Sequence, residues 1–352
     1  MSLRCGLTTG ACAAAAAKAA AMVLNGSEAP RAVDLRLPSG QTARVPILGV
    51  RRDPGSPVVT ATVRKDAGDD PDVTHGLEIR VAVSWDEAAG VTFAAGEGVG
   101  TVTKPGLQVA PGQPAINPVP RQMIAAAIRE VTARGVRVEI SIPGGREIAA
   151  ETFNPRLGIE GGLSILGTTG IVRPYCARAF RDALKCALDV AAACQVTAPV
   201  LVPGNIGASA ASRHLKLTGE QLIEAGNEWG FVIDLLRHYP FEAVMLLGHP
   251  GKLAKLAAGR WDTHSSSSGQ ATEYLGQLCR EVLARPAPHR TTTEGMFVAM
   301  PFPEKNILAK ELALRVRLAV EDRLANRLPV SVFLVDMAGE CLGRDGDLSP
   351  WQ

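Results

Sequence analysis

The stretch Val58-Val59-Thr60-Ala61-Thr62-Val63-Arg64-Lys65-Asp66-Ala67-Gly68-Asp69-Asp70-Pro71-Asp72-Val73-Thr74-His75-Gly76-Leu77-Glu78-Ile79-Arg80-Val81-Ala82-Val83 reads as two strands around a charged loop. Apolar residues alternate on both flanks, as half-buried strands require, and no hydrophobic period crosses the loop. A polar loop at a strand end is a natural place for chemistry. Crowded carboxylates raise one another's pKa values, and a nearby lysine lowers them. Asp66, Asp69, Asp70, Asp72 and His75 are therefore candidates for handling a proton, beside the plainer reading of a solvated acidic turn or a cation site.

Outward from this hairpin, the first half of the chain is strand-rich. Residues 11–24 are an alanine-dominated helix, which alanine favours most strongly, with Thr8 or Thr9 as N-cap. Strand-like runs at 33–37 and 42–48 form a hairpin-like pair around Pro38-Ser39-Gly40. A helix runs from about 118 to 134 with Met123, Ile124, Ile128 and Val131 on one face, and strands are expected at 136–142 and 147–152. The second half changes rhythm. Helices at 176–194, 218–225, 230–238, 271–284 and 304–326 alternate with apolar strands at 199–202, 243–247 and 330–335. The fold class is thus α+β and α/β: an α+β domain over 1–155, then an α/β domain over 156–352 with a mostly parallel sheet.

The 352 residues are 46% apolar, 20% charged and 4% aromatic, with formal net charge +2. Two domains suit that length. The charge balance and scarce aromatics speak against nucleic-acid binding. Seven cysteines with no Cys-x-x-Cys fit reduced thiols rather than a disulfide framework or zinc site. Arg4 and the following alanine run imitate a signal peptide, but alanine is a weak h-region residue and Lys18 interrupts it. No segment has the roughly 20 apolar residues of a transmembrane helix. The chain reads as soluble and cytoplasmic, with no protein metal site.

Gly6-Leu7-Thr8-Thr9-Gly10 and Gly167-Thr168-Thr169-Gly170 are near copies. The first enters a helix, so its amides are expected to point outward toward anions. In the second half, Pro203-Gly204-Asn205-Ile206-Gly207 and Gly248-His249-Pro250-Gly251-Lys252 each follow an apolar strand. Ligands in parallel sheets sit beyond strand C-termini, so Gly204, Asn205, Gly207, Gly248, His249, Gly251 and Lys252 are candidates for holding a nucleotide-like cofactor. Neither turn is a dinucleotide fingerprint or a P-loop. His264 and the serines after it lack the Gly-x-Ser-x-Gly context of a hydrolase.

Together these strings resemble the cobalt-precorrin-5B C1-methyltransferase family of cobalamin biosynthesis, the CbiD type. The matching segments are 6–20, 65–77, 96–107, 114–121, 142–149, 152–174, 203–207, 248–259 and 263–265, in the family's order. The strings at 65–76 and 154–172 are the most specific. Departures occur at Tyr175-Cys176, where the family has Met-Ser, and at 266–270.

The resemblance implies methyl transfer from S-adenosylmethionine to ring carbon C1 of a corrin precursor. It also implies a tetrapyrrole substrate handed over by neighbouring corrin-pathway enzymes, and no membrane or nucleic-acid partner. The substrate is a polycarboxylate, which arginines and lysines recognise best. Lys65, Lys104, Arg121, Arg156 and Arg173, with Thr8, Thr9, Thr168 and Thr169, are the expected substrate-binding residues. Two other classes stay open from the residues alone: a non-catalytic tetrapyrrole carrier, and a divalent-metal hydrolase built on the aspartate loop.

Overall fold

The structure, a computed structural model, describes residues 3–174 and 177–352; the departure at Tyr175-Cys176 lies outside them. The chain divides into two units, Met1–Ala177 and Arg178–Gln352, rather than after residue 155. Residues 159–172 stay with the first unit because they pair into it. Ile159–Glu160 lies antiparallel to Thr101–Val102, and Ile171–Val172 to Gly6–Leu7.

In the first unit β1 (Gly6–Leu7) leads into α1 (Thr9–Leu24). There follow β2 (Ala32–Arg36), β3 (Thr42–Pro46), β4 (Gly49–Arg52), β5 (Val58–Arg64), β6 (Glu78–Trp85), β7 (Val91–Ala95) and β8 (Thr101–Val102). α2 (Pro118–Arg129), β9 (Val136–Ser141), α3 (Gly145–Ala149), β10 (Ile159–Glu160) and β11 (Ile171–Val172) complete it. The main sheet has the order β4-β5-β6-β9-β7, antiparallel except for β7 beside β9.

The β5–β6 hairpin decides this unit. Val59, Ala61 and Val63 stand opposite Val83, Val81 and Ile79, and all six are buried. They face α1, which also packs against α2. The alanines of α1 are fully enclosed, as in a helix that is apolar all round. Their small side chains let sheet and helix approach closely. Lys18, the residue that interrupts the run, reaches the Asp34 carbonyl at 2.7 Å and pairs with Glu130. The signal-peptide-like run is therefore a core helix. The strand expected at 147–152 is instead α3: a left-handed Gly144 (φ +74°) starts it, and its Arg146, Glu147 and Ala149 favour the helix locally.

The second unit runs α4 (Ala177–Ala193), β12 (Val200–Val202), α5 (Asn205–His214), β13 (Leu222–Glu224), α6 (Trp229–Leu236), β14 (Val244–Gly248), α7 (Pro250–Ala257), α8 (Ser265–Ser268), α9 (Thr272–Leu283), α10 (Thr293–Val298), α11 (Phe302–Arg323), β15 (Val330–Val335) and β16 (Cys341–Asp345). Its sheet has the order β13-β12-β14-β15-β16, parallel through β15 with an antiparallel edge at β16. Leu201, Leu246, Val332 and Leu334 join a core with residues of α6, α7, α9 and α11. Val200, Val202, Met245, Leu247, Phe333 and Val335 join another with α5 and Trp351. Burial on both faces explains why these strands are unbroken apolar runs.

The helix expected at 218–225 is a single 3-10 turn, Gly219–Gln221, followed by β13. Thr218 and Gln221 do form a capping box, but pairing of Leu222–Glu224 with β12 stops the helix after one turn. Among the described residues no helix is long and apolar enough to cross a membrane.

Candidate functional site

The aspartate loop is closed by its own backbone. Lys65 N donates to Leu77 O and Gly76 N to Lys65 O, both at 2.8 Å. Lys65 is only 2% exposed, and its Nζ lies 2.6 Å from Asp72 Oδ2. Asp72 Oδ1 accepts from Thr74 N at 2.8 Å and Thr74 Oγ1 at 2.5 Å. Burial alone pushes the Asp72 carboxyl up, but the hydrogen bonds from Lys65 and Thr74 and the lysine charge outweigh it, and its pKa is lowered. Cys12 of α1 is near the same lysine, yet burial pushes its thiol up to about 12. It is a core residue, not a nucleophile.

The outer part of the loop is held by Arg4, which sequence reasoning missed. Arg4 Nη1 and Nη2 donate to Asp66 Oδ2 and Oδ1 at 2.5 and 2.9 Å. Its backbone N donates to Asp69 Oδ2 at 2.6 Å, and Asp69 N returns to Arg4 O at 2.9 Å. Glycine makes this contact possible. A Cβ on Gly6 would lie 2.1 Å from the Ala67 carbonyl carbon, and one on Gly68 (φ +71°) 2.1 Å from Arg4 O. His75 Nδ1 accepts from Ala67 N at 3.1 Å, so the neutral ring carries its proton on Nε2.

The Arg4 hydrogen bond, then the Gly68 amide, hold the Asp66 carboxyl down at about 2. Its contribution to stability is therefore present above the ordinary carboxylate range and lost as pH falls through about 2. Arg4→Ala is expected to move the Asp66 titration back up toward the ordinary range. Carbon-detected NMR of the side-chain carboxyls reads this directly, and an unmoved Asp66 would contradict it.

The two Thr-Thr-Gly motifs meet. Thr8 N donates to Gly170 O and Gly10 N to Leu166 O, each at 3.0 Å. Thr8 Oγ1 caps α1 by accepting from Ala11 N at 3.2 Å, and Thr9 Oγ1 accepts from Leu166 N at 3.0 Å. Thr8 and Thr9 are buried. The first amides of α1 thus turn to the protein's own oxygens, not outward toward an anion. Thr168 and Thr169 are exposed, and Thr169 Oγ1 accepts from Ile171 N at 3.3 Å.

Hydrogen bonds carry this junction onward. Asn154 Nδ2 donates to Gly162 O at 3.1 Å, and Ser164 Oγ donates to Asn154 Oδ1 at 3.2 Å. Gly100 N donates to Leu163 O at 2.9 Å, and Thr103 N to Gly158 O at 2.7 Å. The Lys104 stem lies so close to Gly158 that a Cβ there would sit 2.4 Å from its Cγ. Arg156 and Arg173 are exposed on these loops. Arg121 is not: it donates to Ile116 O at 2.7 Å and Pro114 O at 3.2 Å and stacks over Phe93. Burial lowers its pKa, and it braces the 114–116 loop.

The first unit thus carries one connected belt of loops: 65–76, 4–10, 164–172, 154–163 and 96–104. Exposed Leu3, Val73, Phe153 and Leu166 lie on or beside it. Among the described residues no three His, Cys, Asp or Glu are grouped so as to hold a metal ion. Asp66, Asp69 and Asp72 turn to Arg4, Lys65 and Thr74 rather than to a common point.

In the second unit the turns after β12 and β14 are neighbours. A Cβ on Gly248 would lie 2.7 Å from Pro203 Cδ, and one on Gly207 3.0 Å from Leu247 O. A Cβ on Gly204 would meet nothing within 4 Å. In order of appearance the sheet runs 2-1-3-4-5, so these turns flank the topological switch point, where doubly wound sheets bind ligands. His249 is held at both nitrogens: Nδ1 accepts from Gly251 N at 3.0 Å, and Nε2 lies 2.9 Å from Glu294 Oε2. It caps α7 and ties it to α10. Lys252 is half-buried and donates to Asn227 Oδ1. Lys255 is buried, with Thr263 O at 3.0 Å and Ser268 Oγ at 2.9 Å. Burial lowers the pKa of both lysines, and among the described residues neither forms an ion pair within 4.0 Å.

The CbiD family model matches residues 1–174. A relative from Syntrophotalea carbinolica, named cobalt-precorrin-5B C(1)-methyltransferase, is 50% identical, with 99% of each chain covered. Relatives of the same name from Thermus thermophilus and Moorella thermoacetica are 45% and 40% identical, covering 96% and 97% of this chain and 93% and 95% of theirs. A crystal structure of a cobalamin biosynthesis protein (CbiD) from Archaeoglobus fulgidus is 29% identical, over 77% of this chain and 84% of that one, at a TM-score of 0.40. With half its residues shared along its whole length with such a relative, the chain belongs to the cobalt-precorrin-5B C(1)-methyltransferase family.

Proposed function

We propose that the chain methylates ring carbon C1 of cobalt-precorrin-5B with S-adenosylmethionine as donor. The observation that carries the substrate assignment is the connected loop belt of the first unit. A tetrapyrrole offers a flat apolar face and a rim of carboxylates. Leu3, Val73, Phe153 and Leu166 suit the face, and Lys104, Arg156 and Arg173 suit the rim. Such a substrate is handed over by neighbouring corrin-pathway enzymes.

The donor is assigned to the β12/β14 switch point. The residues there fit it: Gly204 leaves open space, Gly248 lets the two turns close together, and Lys252 offers a half-buried cation to a carboxylate. S-Adenosylmethionine supplies an electrophilic methyl group on a sulfonium. The protein's part is to orient the reactants and exclude water, the largest contributions available to a displacement that needs no protein nucleophile.

Alkylation of an enamine-like carbon leaves positive charge on the ring until a proton departs. The carboxylates of the aspartate loop, Asp66, Asp69, Asp70 and Asp72, have the chemistry to accept it. His75 already uses Nδ1 to accept from the Ala67 amide, so it acts through Nε2 as a hydrogen-bond donor rather than as a base.

The test is turnover with cobalt-precorrin-5B and methyl-labelled S-adenosylmethionine, followed by mass spectrometry. The expected product gains one labelled methyl group at C1. Tetrapyrrole binding without methyl gain would instead identify a carrier.

A further inference from the structure

We propose that Glu224 binds a ribose: its carboxylate accepts hydrogen bonds from the hydroxyls of the nucleoside at the β12/β14 switch point. This rests on the donor site proposed above and names how that site recognises the donor.

The placement comes from register. Glu224 is the last residue of β13 and stands opposite Val202, the last residue of β12. The ladder continues one step further, with Ala225 N donating to Val202 O at 2.8 Å. Glu224 is therefore fixed at the C-terminal edge of the sheet, alongside the chain as it enters Pro203 and Gly204. It is half-buried, at the end of a strand whose other residues are leucine and isoleucine.

The turn behind it is rigid. Gly226 (φ +59°) packs against Phe180, where a Cβ would lie 2.8 Å from Cζ. Asn227 Oδ1 accepts from Lys252 and from Thr263 Oγ1. Lys252 belongs to the turn after β14, so the end of β13 is tied to the switch point itself.

The chemistry follows. A carboxylate accepts two hydrogen bonds side by side, which matches the vicinal hydroxyls of a ribose. In doubly wound sheets an acidic residue about 20 residues beyond the first glycine turn plays this part. Gly204 and Glu224 stand in that relation, although the turn lacks the full glycine fingerprint. Open space at Gly204 and an acid at the end of the next strand are the two features that a nucleoside requires.

The experiment is calorimetric titration of the full chain with S-adenosylhomocysteine and with its 2′-deoxyribose analogue, in the native protein, Glu224→Gln and Glu224→Ala. The expected result is a loss of about 10- to 100-fold in affinity for S-adenosylhomocysteine on Glu224→Ala, the scale of charge-assisted hydrogen bonds. The deoxy analogue should bind weakly to the native protein and lose much less on substitution. In turnover, KM for the donor should rise while kcat at saturating donor and KM for the tetrapyrrole hold.

Glu224→Gln keeps the shape of the side chain and makes the test secure against misfolding. Native affinity in both variants would overturn the ribose assignment alone. Equal weakening of ribose and deoxyribose ligands would also overturn it, as a merely structural effect. Failure of the native protein to bind S-adenosylhomocysteine at all would overturn the donor site and this assignment with it.

Discussion

Lys65→Ala is expected to lower the unfolding free energy by about 3–5 kcal/mol, the cost of leaving a buried partner uncompensated. Lys65 is the only large charged side chain among the most fully enclosed described residues. Its contact with Asp72 closes the base of the aspartate loop. Removing the lysine leaves a cavity and a part-buried carboxylate that only Thr74 still supports. Asp72→Asn should also destabilise, because the buried ammonium then lacks its anion. The double variant should cost less than the sum of the two singles by at least about 1 kcal/mol, since neither charge is left stranded. Urea unfolding of the four proteins reads this. Strict additivity would show that the pair does not act as a unit.

The pH dependence has a fixed sign. Asp72 has a lowered folded pKa, so its stabilisation is present above the ordinary carboxylate range and fades as pH falls through the lowered value. Lys65→Ala should remove this acid limb.

Much of the fold was legible. The β5–β6 hairpin announced itself by alternation, and β12, β14 and β15 by unbroken apolar runs, because burial on one face or two writes those patterns directly. β7 and β16 did not. Both are edge strands: all five residues of β7 are half-buried, and in β16 only Leu342 is buried. The helix at 205–214 follows a turn whose glycines dominated its reading. At β13, pairing with β12 overrode a local helix signal, whereas at α3 the local helix preference itself prevailed over the strand reading.

The loops of the candidate site were legible as strings, but the contacts that join them were not. Glycine positions that looked like caps turned out to be points where two chain segments cross. Gly6 exists for Ala67, and Gly167 for Thr8. Nothing local singles out Arg4. The only trace of its role was that Asp66 and Asp69 sit on an exposed turn and need a cation from elsewhere. Thr8, Thr9 and Arg121 had the right chemistry for a carboxylate, yet backbone carbonyls and amides claimed them first.

Gly98→Ala is expected to disrupt the belt as severely. Gly98 has φ +71°, a conformation that costs an alanine about 1–2 kcal/mol. Its Cβ would also lie 1.9 Å from Ile142 O and 3.0 Å from Gly145 N. Both neighbours are backbone, so no side chain can swing aside. The crowding is mutual: a Cβ on Gly145 would lie 2.5 Å from Gly98 O, and one on Gly162 2.3 Å from the Gly98 carbonyl carbon. Three glycines thus form a crossing where segments 96–100, 142–145 and 158–163 touch backbone to backbone. Overpacking of this kind typically adds about 1–3 kcal/mol, for a total of roughly 2–5 kcal/mol. The loops bearing Lys104 and Arg156 depend on that crossing for their position. Tetrapyrrole binding should therefore fall with stability, whereas S-adenosylhomocysteine, assigned to the second unit, should bind with native affinity. Paired titrations with the two ligands measure the split. Loss of both in a chain whose second unit remains folded would place the donor on the loop belt instead, and retention of both would remove the belt from the reaction.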